Sequence, residues 1–75
     1  MVKVYSTNSC PWCVKAKNYL TSINVEYVEL NVQEDMAARE EMVSKSKQMG
    51  VPVLDINGEI IVGFDRNAID SALNK

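Results

Sequence analysis

The stretch that decides the fold is VKVYSTNSCPWC, residues 2–13. It opens with β-branched and aromatic residues at Val2–Tyr5, which predict a short strand. A polar segment follows, and Pro11 then suits the first position of a helix, where its missing N–H group needs no partner. The sequence therefore places two cysteines, Cys10 and Cys13, where a strand leads into a helix.

Working outward, this first helix has apolar residues at intervals of three and four, at Cys13, Ala16, Leu20 and Ile23, which predict one buried face. The next segments are predicted as a strand at Val25–Val32 and a helix from about Asp35 to Lys47 that Gly50 ends. Two strands follow, at Val51–Ile56 and Glu59–Val62. Asp65 is predicted to cap a final helix that carries Ile69, Ala72 and Leu73 on one side. Asn57-Gly58 predicts a tight hairpin turn between the last two strands.

The predicted order is β-α-β-α-β-β-α, an α/β fold. A β-α-β start makes the first two strands parallel, and the hairpin adds an antiparallel pair. We therefore expect a four-stranded mixed sheet flanked by three helices. With 75 residues, the chain has room for one domain, residues 1–75.

Composition excludes several kinds of function. The chain has 8 Lys and Arg, 10 Asp and Glu, a net charge of −2 and no histidine, so Ser-His and Cys-His hydrolases and His-ligated zinc sites are excluded. No basic excess favours nucleic acid. No apolar run reaches the roughly 20 residues that cross a membrane, and the N-terminus does not resemble a signal peptide. We expect a cytoplasmic monomer without membrane or nucleic-acid partners.

In a reducing cytoplasm, a close cysteine pair indicates catalysis or metal binding more than a structural disulfide. Cys10 is predicted at the helix N-terminus, where N–H groups and the helix dipole favour a thiolate with a pKa below the ~8.5 of a free cysteine. Cys13 falls on the face that points to the core. We therefore predict that Cys10 is the nucleophile and Cys13 the resolving thiol. The alternative is that the pair is a small core motif.

Two flanking features point to a substrate surface. Pro11 stiffens the turn, and Trp12, the single tryptophan, is predicted to form part of a contact surface. Val51-Pro52 indicates a cis peptide bond beside the Cys10 loop, where the backbone before the proline is free to pair with an extended peptide or thiol substrate. The alternative is an ordinary edge-strand proline.

Gly63, Phe64 and Asp65 stand between the last strand and the last helix. Backbone N–H groups and a helix N-terminus should converge there, which suits a carboxylate such as the γ-glutamyl end of glutathione. The alternative is that Asp65 is only an N-cap and Phe64 only a core residue.

With these residues in view, the whole chain resembles a glutaredoxin. Cys10-Pro11-Trp12-Cys13 is similar to the family's Cys-Pro-Tyr-Cys, Val51-Pro52 to its cis Val-Pro, and Gly63 begins a segment similar to its glutathione-binding Gly-Cys-Asp-Asp. The resemblance implies a thioredoxin-like fold and thiol–disulfide exchange with Cys10 as the nucleophile. It also implies glutathione as a co-substrate, with no bound cofactor or metal.

Several departures from the glutaredoxin pattern concern the electron donor. Thr7 replaces a lysine that helps bind glutathione, Gly50 replaces a threonine, Phe64 replaces a cysteine, and Arg66 reverses the charge of an aspartate. Gly63-Phe64 is similar instead to the Ser-Gly-Phe-Arg segment of NrdH-type redoxins, which are reduced by thioredoxin reductase and feed ribonucleotide reductase. We therefore favour a flavoprotein of the thioredoxin-reductase type over glutathione, with protein disulfides as substrates, ribonucleotide reductase among the candidates.

Two other hypotheses remain. Some glutaredoxins bind an iron–sulfur cluster between two subunits, with glutathione, and a copper chaperone also has a Cys-x-x-Cys after its first strand, although it lacks the Val-Pro feature. Asp55, on a central strand, is a candidate to tune Cys13; the simpler prediction is a solvated carboxylate.

Overall fold

The computed structural model describes residues 1–74. Its elements are β1 (Val2–Ser6), α1 (Pro11–Ser22), β2 (Val28–Asn31), α2 (Met36–Ser46), β3 (Val53–Ile56), β4 (Glu59–Val62) and α3 (Arg66–Leu73). The predicted order β-α-β-α-β-β-α is confirmed. Asp35 and Asp65 cap α2 and α3, each accepting a hydrogen bond from the N–H three residues on, as expected of N-cap aspartates.

The four strands form one mixed sheet in the order β2-β1-β3-β4. β1 runs parallel to β2 and antiparallel to β3, and β3 is antiparallel to β4. The predicted turn between β3 and β4 is present: Asn57 and Gly58 both have positive φ, 52° and 96°, as the mirror-image hairpin turn requires.

Alternate residues of the central strands point to opposite faces of the sheet. Val4 and Leu54 belong to a core cluster with residues of α1 and α3. Tyr5 and Val53 belong to a second cluster with residues of α2. Two helices therefore cover one face and one helix covers the other, which is the predicted sheet flanked by three helices.

The prediction of β2 at residues 25–32 was wrong at its start. Val25 donates its N–H to Leu20 O at the end of α1, at 2.9 Å, and Asn24 before it has a φ of 60°. Pairing with β1 begins only at Val28, opposite Lys3. The first residues of the connection between α1 and β2 therefore terminate the helix and do not extend the sheet.

Helix and strand ends account for three further corrections. Ile23, predicted on the buried face of α1, is 39% exposed because the helix ends at Ser22. The second helix ends at Ser46, close to the predicted Lys47, but the residue that caps it is Lys47, with a φ of 63°, and not Gly50. β3 starts at Val53, not Val51, since Pro52 has no N–H to give to the sheet.

A cluster of charged and polar side chains fastens α2 to the sheet. Lys45 Nζ lies 3.0 Å from Glu41 Oε1 and 2.6 Å from Asp55 Oδ2. Glu41 also accepts from Lys3 Nζ at 3.1 Å and from the Tyr5 hydroxyl. The cluster joins one helix to the two central strands.

The expectation of a solvated Asp55 was wrong. The residue is 8% exposed and its Oδ1 accepts the Gly58 N–H at 2.9 Å. Burial acts to raise the pKa of Asp55, but the hydrogen bonds from Lys45 and Gly58 outweigh it and lower the pKa overall. Because Asp55 contacts α2, on the face opposite α1, it does not contact Cys13.

Candidate active site

The loop between β1 and α1 places Cys10 at the start of the helix. Its backbone is extended, with φ −118° and ψ 101°, and its carbonyl accepts the first helical hydrogen bond from Val14 N at 3.2 Å. Its sulfur accepts the Cys13 N–H at 3.1 Å. Pro11 occupies the first helical position, as predicted. The sulfur of Cys10 therefore takes the place of an N-cap oxygen, at the end of the helix that favours negative charge.

Cys10 and Cys13 are joined as a disulfide, with their Cα atoms 5.2 Å apart. The two residues differ in exposure: Cys13 is 1% exposed, whereas Cys10 is partly exposed. Cys13 is therefore buried, whereas Cys10, one helical turn earlier, lies at the surface.

A shallow groove of ≈ 270 Å³ brings together five of the predicted site residues, namely Trp12, Val51, Pro52, Gly63 and Phe64. The predicted cis bond between Val51 and Pro52 is present. Trp12 is 56% exposed, as expected of a contact residue. Because Trp12 stands between the two cysteines in sequence, the groove adjoins the cysteine pair.

The segment after β4 differs in detail from the expected carboxylate site. Gly63, with a φ of 84°, donates its N–H to Pro52 O at 2.8 Å. Asp65 lies outside the groove and accepts the Ala68 N–H at 3.1 Å. Both groups already have partners within the protein.

Sequence reasoning did not find that the two aromatic rings of the groove, Trp12 and Phe64, continue in a row to Tyr19 outside it. The rings of Trp12 and Phe64 are 6.5 Å apart, centroid to centroid, and those of Phe64 and Tyr19 are 6.0 Å apart in an edge-on arrangement. Phe64 is partly buried and packs on the core of α1 and α3. The available signal was spacing, because Trp12 and Tyr19 are seven residues apart and lie on one face of a helix.

Two cations flank this row. Lys15 Nζ lies 4.4 Å from the centroid of the Trp12 ring, and the Arg66 guanidinium lies 4.9 Å from that of Tyr19. The Tyr19 hydroxyl donates to Asp70. That hydrogen bond, together with burial, raises the pKa of Tyr19, while Arg66 acts in the opposite direction. The hydroxyl therefore remains a donor, joining α1 to α3.

Comparison with known proteins shows to which family a chain with this arrangement belongs. The glutaredoxin family model matches residues 2–61. The chain belongs to the glutaredoxin family. A glutaredoxin with a Cys-x-x-Cys pair is a dithiol–disulfide oxidoreductase, and glutathione serves the family as a substrate and not as a bound cofactor.

Individual glutaredoxin relatives agree with the family match. A glutaredoxin-like 8.6 kDa protein in the rubredoxin operon of Clostridium pasteurianum is 56% identical over 75 residues, covering both chains completely. Glutaredoxin 3 of Escherichia coli K12 is 38% identical over 64 residues, 85% of this chain and 77% of that one. Among solved structures, the thioredoxin-like protein BC3987 superposes with a TM-score of 0.90 at 32% identity, over 96% of this chain and 99% of that one. The thioredoxin-like fold is thereby confirmed.

Metal-ligating clusters and membrane-spanning helices are both absent from the part of this glutaredoxin that the structure describes. Within residues 1–74, no group of three or more His, Cys, Asp or Glu side chains is arranged to hold a metal ion. Over the same residues, no helix has both the length and the apolar character to cross a membrane.

Proposed function

We propose that Cys10 attacks the disulfide of a protein substrate and Cys13 resolves the product, with electrons supplied by a flavoprotein of the thioredoxin-reductase type. Unequal exposure carries the assignment of roles. Cys13 is 1% exposed, while Cys10 is at the surface and receives an N–H group at its sulfur. A nucleophile must meet an incoming disulfide, whereas a resolving thiol needs only to reach Cys10.

The exchange has two steps. The Cys10 thiolate attacks one sulfur of the substrate disulfide, the S–S bond breaks, and the departing thiolate takes up a proton. Cys13, as a thiolate, then attacks Cys10 Sγ, which releases the second substrate thiol and forms the Cys10–Cys13 disulfide. Two electrons pass from the protein dithiol to the substrate, and the two cysteine protons end on the substrate thiols.

The groove supplies the surface on which the substrate lies. Val51, before the proline, offers backbone to an extended peptide in the manner of strand addition, and Trp12 offers an exposed apolar ring. Pro52 itself has no N–H, and its carbonyl already accepts the Gly63 N–H. Phe64 forms the opposite wall, while Gly63 and Asp65 hold the β4–α3 connection in shape through their hydrogen bonds. Pro11 fixes the turn between the two cysteines.

The choice of electron donor depends on one end of the groove. Glutathione is expected to bind at that end, but side chains of the protein occupy it. Phe64 fills it with an aromatic ring packed between Trp12 and Tyr19. The Gly63 N–H is already bonded to Pro52 O. Arg66 places a cation where the family pattern has an aspartate facing the glutathione amine, and Thr7 lacks the family's lysine. These features disfavour glutathione as the electron donor and favour a protein donor in the cytoplasm, with protein disulfides such as that of ribonucleotide reductase downstream.

Cysteine variants test the assignment of roles. Cys10→Ser should abolish all exchange. Cys13→Ser should still form a mixed disulfide at Cys10 but should not release it, which intact-mass spectrometry detects as a trapped substrate adduct. Adduct formation by Cys10→Ser but not by Cys13→Ser would reverse the roles. Partners trapped on Cys13→Ser can then be identified directly.

A coupled assay tests the donor. NADPH consumption is followed with either thioredoxin reductase, or glutathione and glutathione reductase, at equal concentrations of an oxidised protein substrate. We expect faster turnover with thioredoxin reductase. Fast turnover with glutathione and none with the flavoprotein would contradict the donor proposal while leaving the exchange chemistry intact.

The alternative function is that of an iron–sulfur carrier, in which Cys10 of two copies and two glutathione molecules share a cluster. It is supported by the surface position of Cys10 alone. Anaerobic purification with glutathione tests it. A brown dimer with visible absorption that Cys10→Ser abolishes would support this alternative, and a colourless monomer would count against it.

A further inference from the structure

We infer that Gln48 is a positioning residue for substrate binding. Its side chain holds the backbone of Gly50 so that Val51 alone pairs with the substrate, through the main chain of the residue that carries the disulfide. The inference rests on the proposed strand addition at Val51, and it names the part of the substrate that is recognised.

The backbone of Val51 is the part of the groove that can pair with an extended chain. The Val51 side chain packs against the core cluster on the α2 face of the sheet, while the residue lines the groove. Within residues 1–74, neither its N–H nor its C=O has a hydrogen-bond partner. Pro52 has no N–H and already accepts the Gly63 N–H at 2.8 Å. The free pair of hydrogen-bonding groups therefore belongs to Val51.

Gln48 occupies the corresponding groups of Gly50, the residue before Val51. Its side-chain oxygen accepts the Gly50 N–H at 2.6 Å, and its side-chain nitrogen donates to the Gly50 carbonyl at 3.0 Å. One amide side chain thus forms both hydrogen bonds that a residue of a neighbouring strand would form. A substrate strand cannot shift its pairing from Val51 to Gly50 without breaking these two bonds.

The contacts of Gln48 also fix a segment that the sheet does not hold. Residues 47–52 lie between α2 and β3, and the pairing of β1 with β3 stops at Val53. The side-chain nitrogen of Gln48 lies 3.3 Å from Ser46 Oγ, on the last residue of α2. Gln48 therefore ties the backbone beside Val51 to a helix, and a backbone fixed in advance binds its partner at a lower cost in entropy.

Glycine at position 50 is matched to Gln48. A Cβ atom on Gly50 would lie 2.7 Å from Gln48 Oε1, which is closer than two such atoms approach. Because that oxygen is the end of a flexible side chain, a larger residue at position 50 would displace the amide and break its bonds. Replacing Gly50 should therefore have the same effect on binding as removing the Gln48 side chain.

The test compares disulfides with and without a main chain. The substrates are the homodisulfide of capped Ala-Cys-Ala, the same compound with N-methylcysteine, and bis(2-hydroxyethyl) disulfide, which has no amide group. Each reacts with the protein after reduction with dithiothreitol and desalting. In this single turnover one substrate disulfide becomes two thiols while the Cys10–Cys13 pair becomes a disulfide, so no electron donor is needed. Acid quenching and chromatography give the rate constants.

The measured quantity is the rate constant for the tripeptide disulfide divided by that for bis(2-hydroxyethyl) disulfide. We expect Gln48→Ala to lower this ratio about fivefold, the size of effect that the loss of a hydrogen bond produces. Gly50→Ala should lower it as much, and the double variant no further, because both changes remove one interaction. A change in the reactivity of Cys10 itself cancels from the ratio. Circular dichroism verifies folding.

Gln33→Ala is the matched control. The Gln33 side-chain oxygen also accepts a backbone N–H, that of Asn8 in the loop before α1, at 3.1 Å. Its removal deletes the same side chain and the same kind of bond but leaves Gly50 and Val51 as they are. This variant should therefore keep the ratio of the unsubstituted protein.

The outcomes separate this inference from the proposed function. A ratio that Gln48→Ala leaves unchanged, or that Gln33→Ala lowers equally, would overturn the role of Gln48 and leave exchange at Cys10 standing. Additive effects of Gln48→Ala and Gly50→Ala would overturn it as well. Equal rates for the tripeptide disulfide and its N-methyl form would overturn strand addition at Val51, and the inference with it. No exchange with any of the three substrates would overturn the proposed function itself.

Discussion

Phe64 is the residue on which the shape of the groove depends. Its ring contacts those of Trp12 and Tyr19 at centroid distances of 6.5 and 6.0 Å, and it also packs on the core formed by α1 and α3. One side chain therefore joins the exposed wall of the groove to the interior. The sequence left open whether Phe64 was a core residue or a site residue, and in the structure its ring both packs on the core and lines the groove.

Replacing Phe64 with alanine should have two measurable effects. Loss of a fully buried Phe typically costs 3–5 kcal/mol, and for this partly buried ring we expect the free energy of unfolding to fall by about 1–3 kcal/mol. Removing the ring should also open the groove, so that turnover with glutathione rises relative to turnover with thioredoxin reductase. Urea unfolding and the two coupled assays measure these effects.

Phe64→Leu is the matched control for this prediction, because it keeps apolar volume while losing the aromatic ring. It should retain most of the stability. If Phe64→Ala leaves the ratio of the two activities unchanged, Phe64 does not govern access of glutathione to the groove.

At the scale of elements, α2 is fastened by charge as well as by its apolar face. Glu41 accepts hydrogen bonds from Tyr5, Lys45 and Lys3, which hold its pKa at about 2, against an ordinary 4.5. A carboxyl whose pKa is lowered by folding stabilises the folded state above its ordinary pKa, and the contribution is lost as pH falls toward the folded value. The attachment of α2 should therefore weaken between about pH 5 and pH 2.

Glu41→Gln tests this attachment. Glu41 has a side chain that is 39% exposed, so solvent screening limits its contribution, and we expect the variant to lose about 0.5–1 kcal/mol at pH 7. The difference from the unsubstituted protein should vanish as pH approaches 2. Urea unfolding at a series of pH values measures it. Glu40→Gln, which removes the neighbouring carboxylate on the same helix, should show no comparable pH-dependent difference.

Element order and the helix starts were predictable because they depend on local chemistry. Proline at the first helical position, aspartate at the caps of α2 and α3, and the Asn57-Gly58 turn each act within a few residues. Where elements meet, local chemistry was not enough. β2 starts at Val28 because Val25 is bonded to the end of α1, and Asp55 is buried because Lys45 reaches it from α2.

The candidate site also combines local features that the sequence predicts with long-range contacts that it does not. The cysteine pair, the cis Val51-Pro52 bond and the exposed Trp12 were all predictable from the sequence. The contact of Tyr19 with Phe64 and the stacking of Arg66 on Tyr19 were not, because they require α1 and α3 to pack side by side on one face of the sheet. Long-range packing, and not helix or strand propensity, decided those positions.

At the scale of the whole molecule, the two cores share the same strands. Val4 and Tyr5 are neighbours in β1, yet they belong to clusters on opposite faces, as Leu54 and Val53 do in β3. If β1 or β3 detaches from one of the two clusters, the other cluster is exposed to solvent as well.

We therefore expect one cooperative unfolding transition for the whole chain, as is usual for domains of this size. Trp12 fluorescence reports the groove, and far-UV circular dichroism reports all the helices. The two probes should give the same urea midpoint and the same m-value. An earlier fluorescence transition would show instead that the groove opens on its own before the sheet unfolds.

The sulfur that caps α1 carries a last consequence. The Cys13 N–H that Cys10 Sγ accepts at 3.1 Å belongs to the backbone of the helix, so the reacting atom is also part of that helix's first turn. Thermodynamic linkage is reciprocal: whatever free energy the helix gives to a thiolate at Cys10, the thiolate returns to the helix. The stability of the first turn of α1 must then differ between the reduced and the oxidised protein. Conversely, the stability of that turn determines how readily the Cys10 thiolate loses its charge.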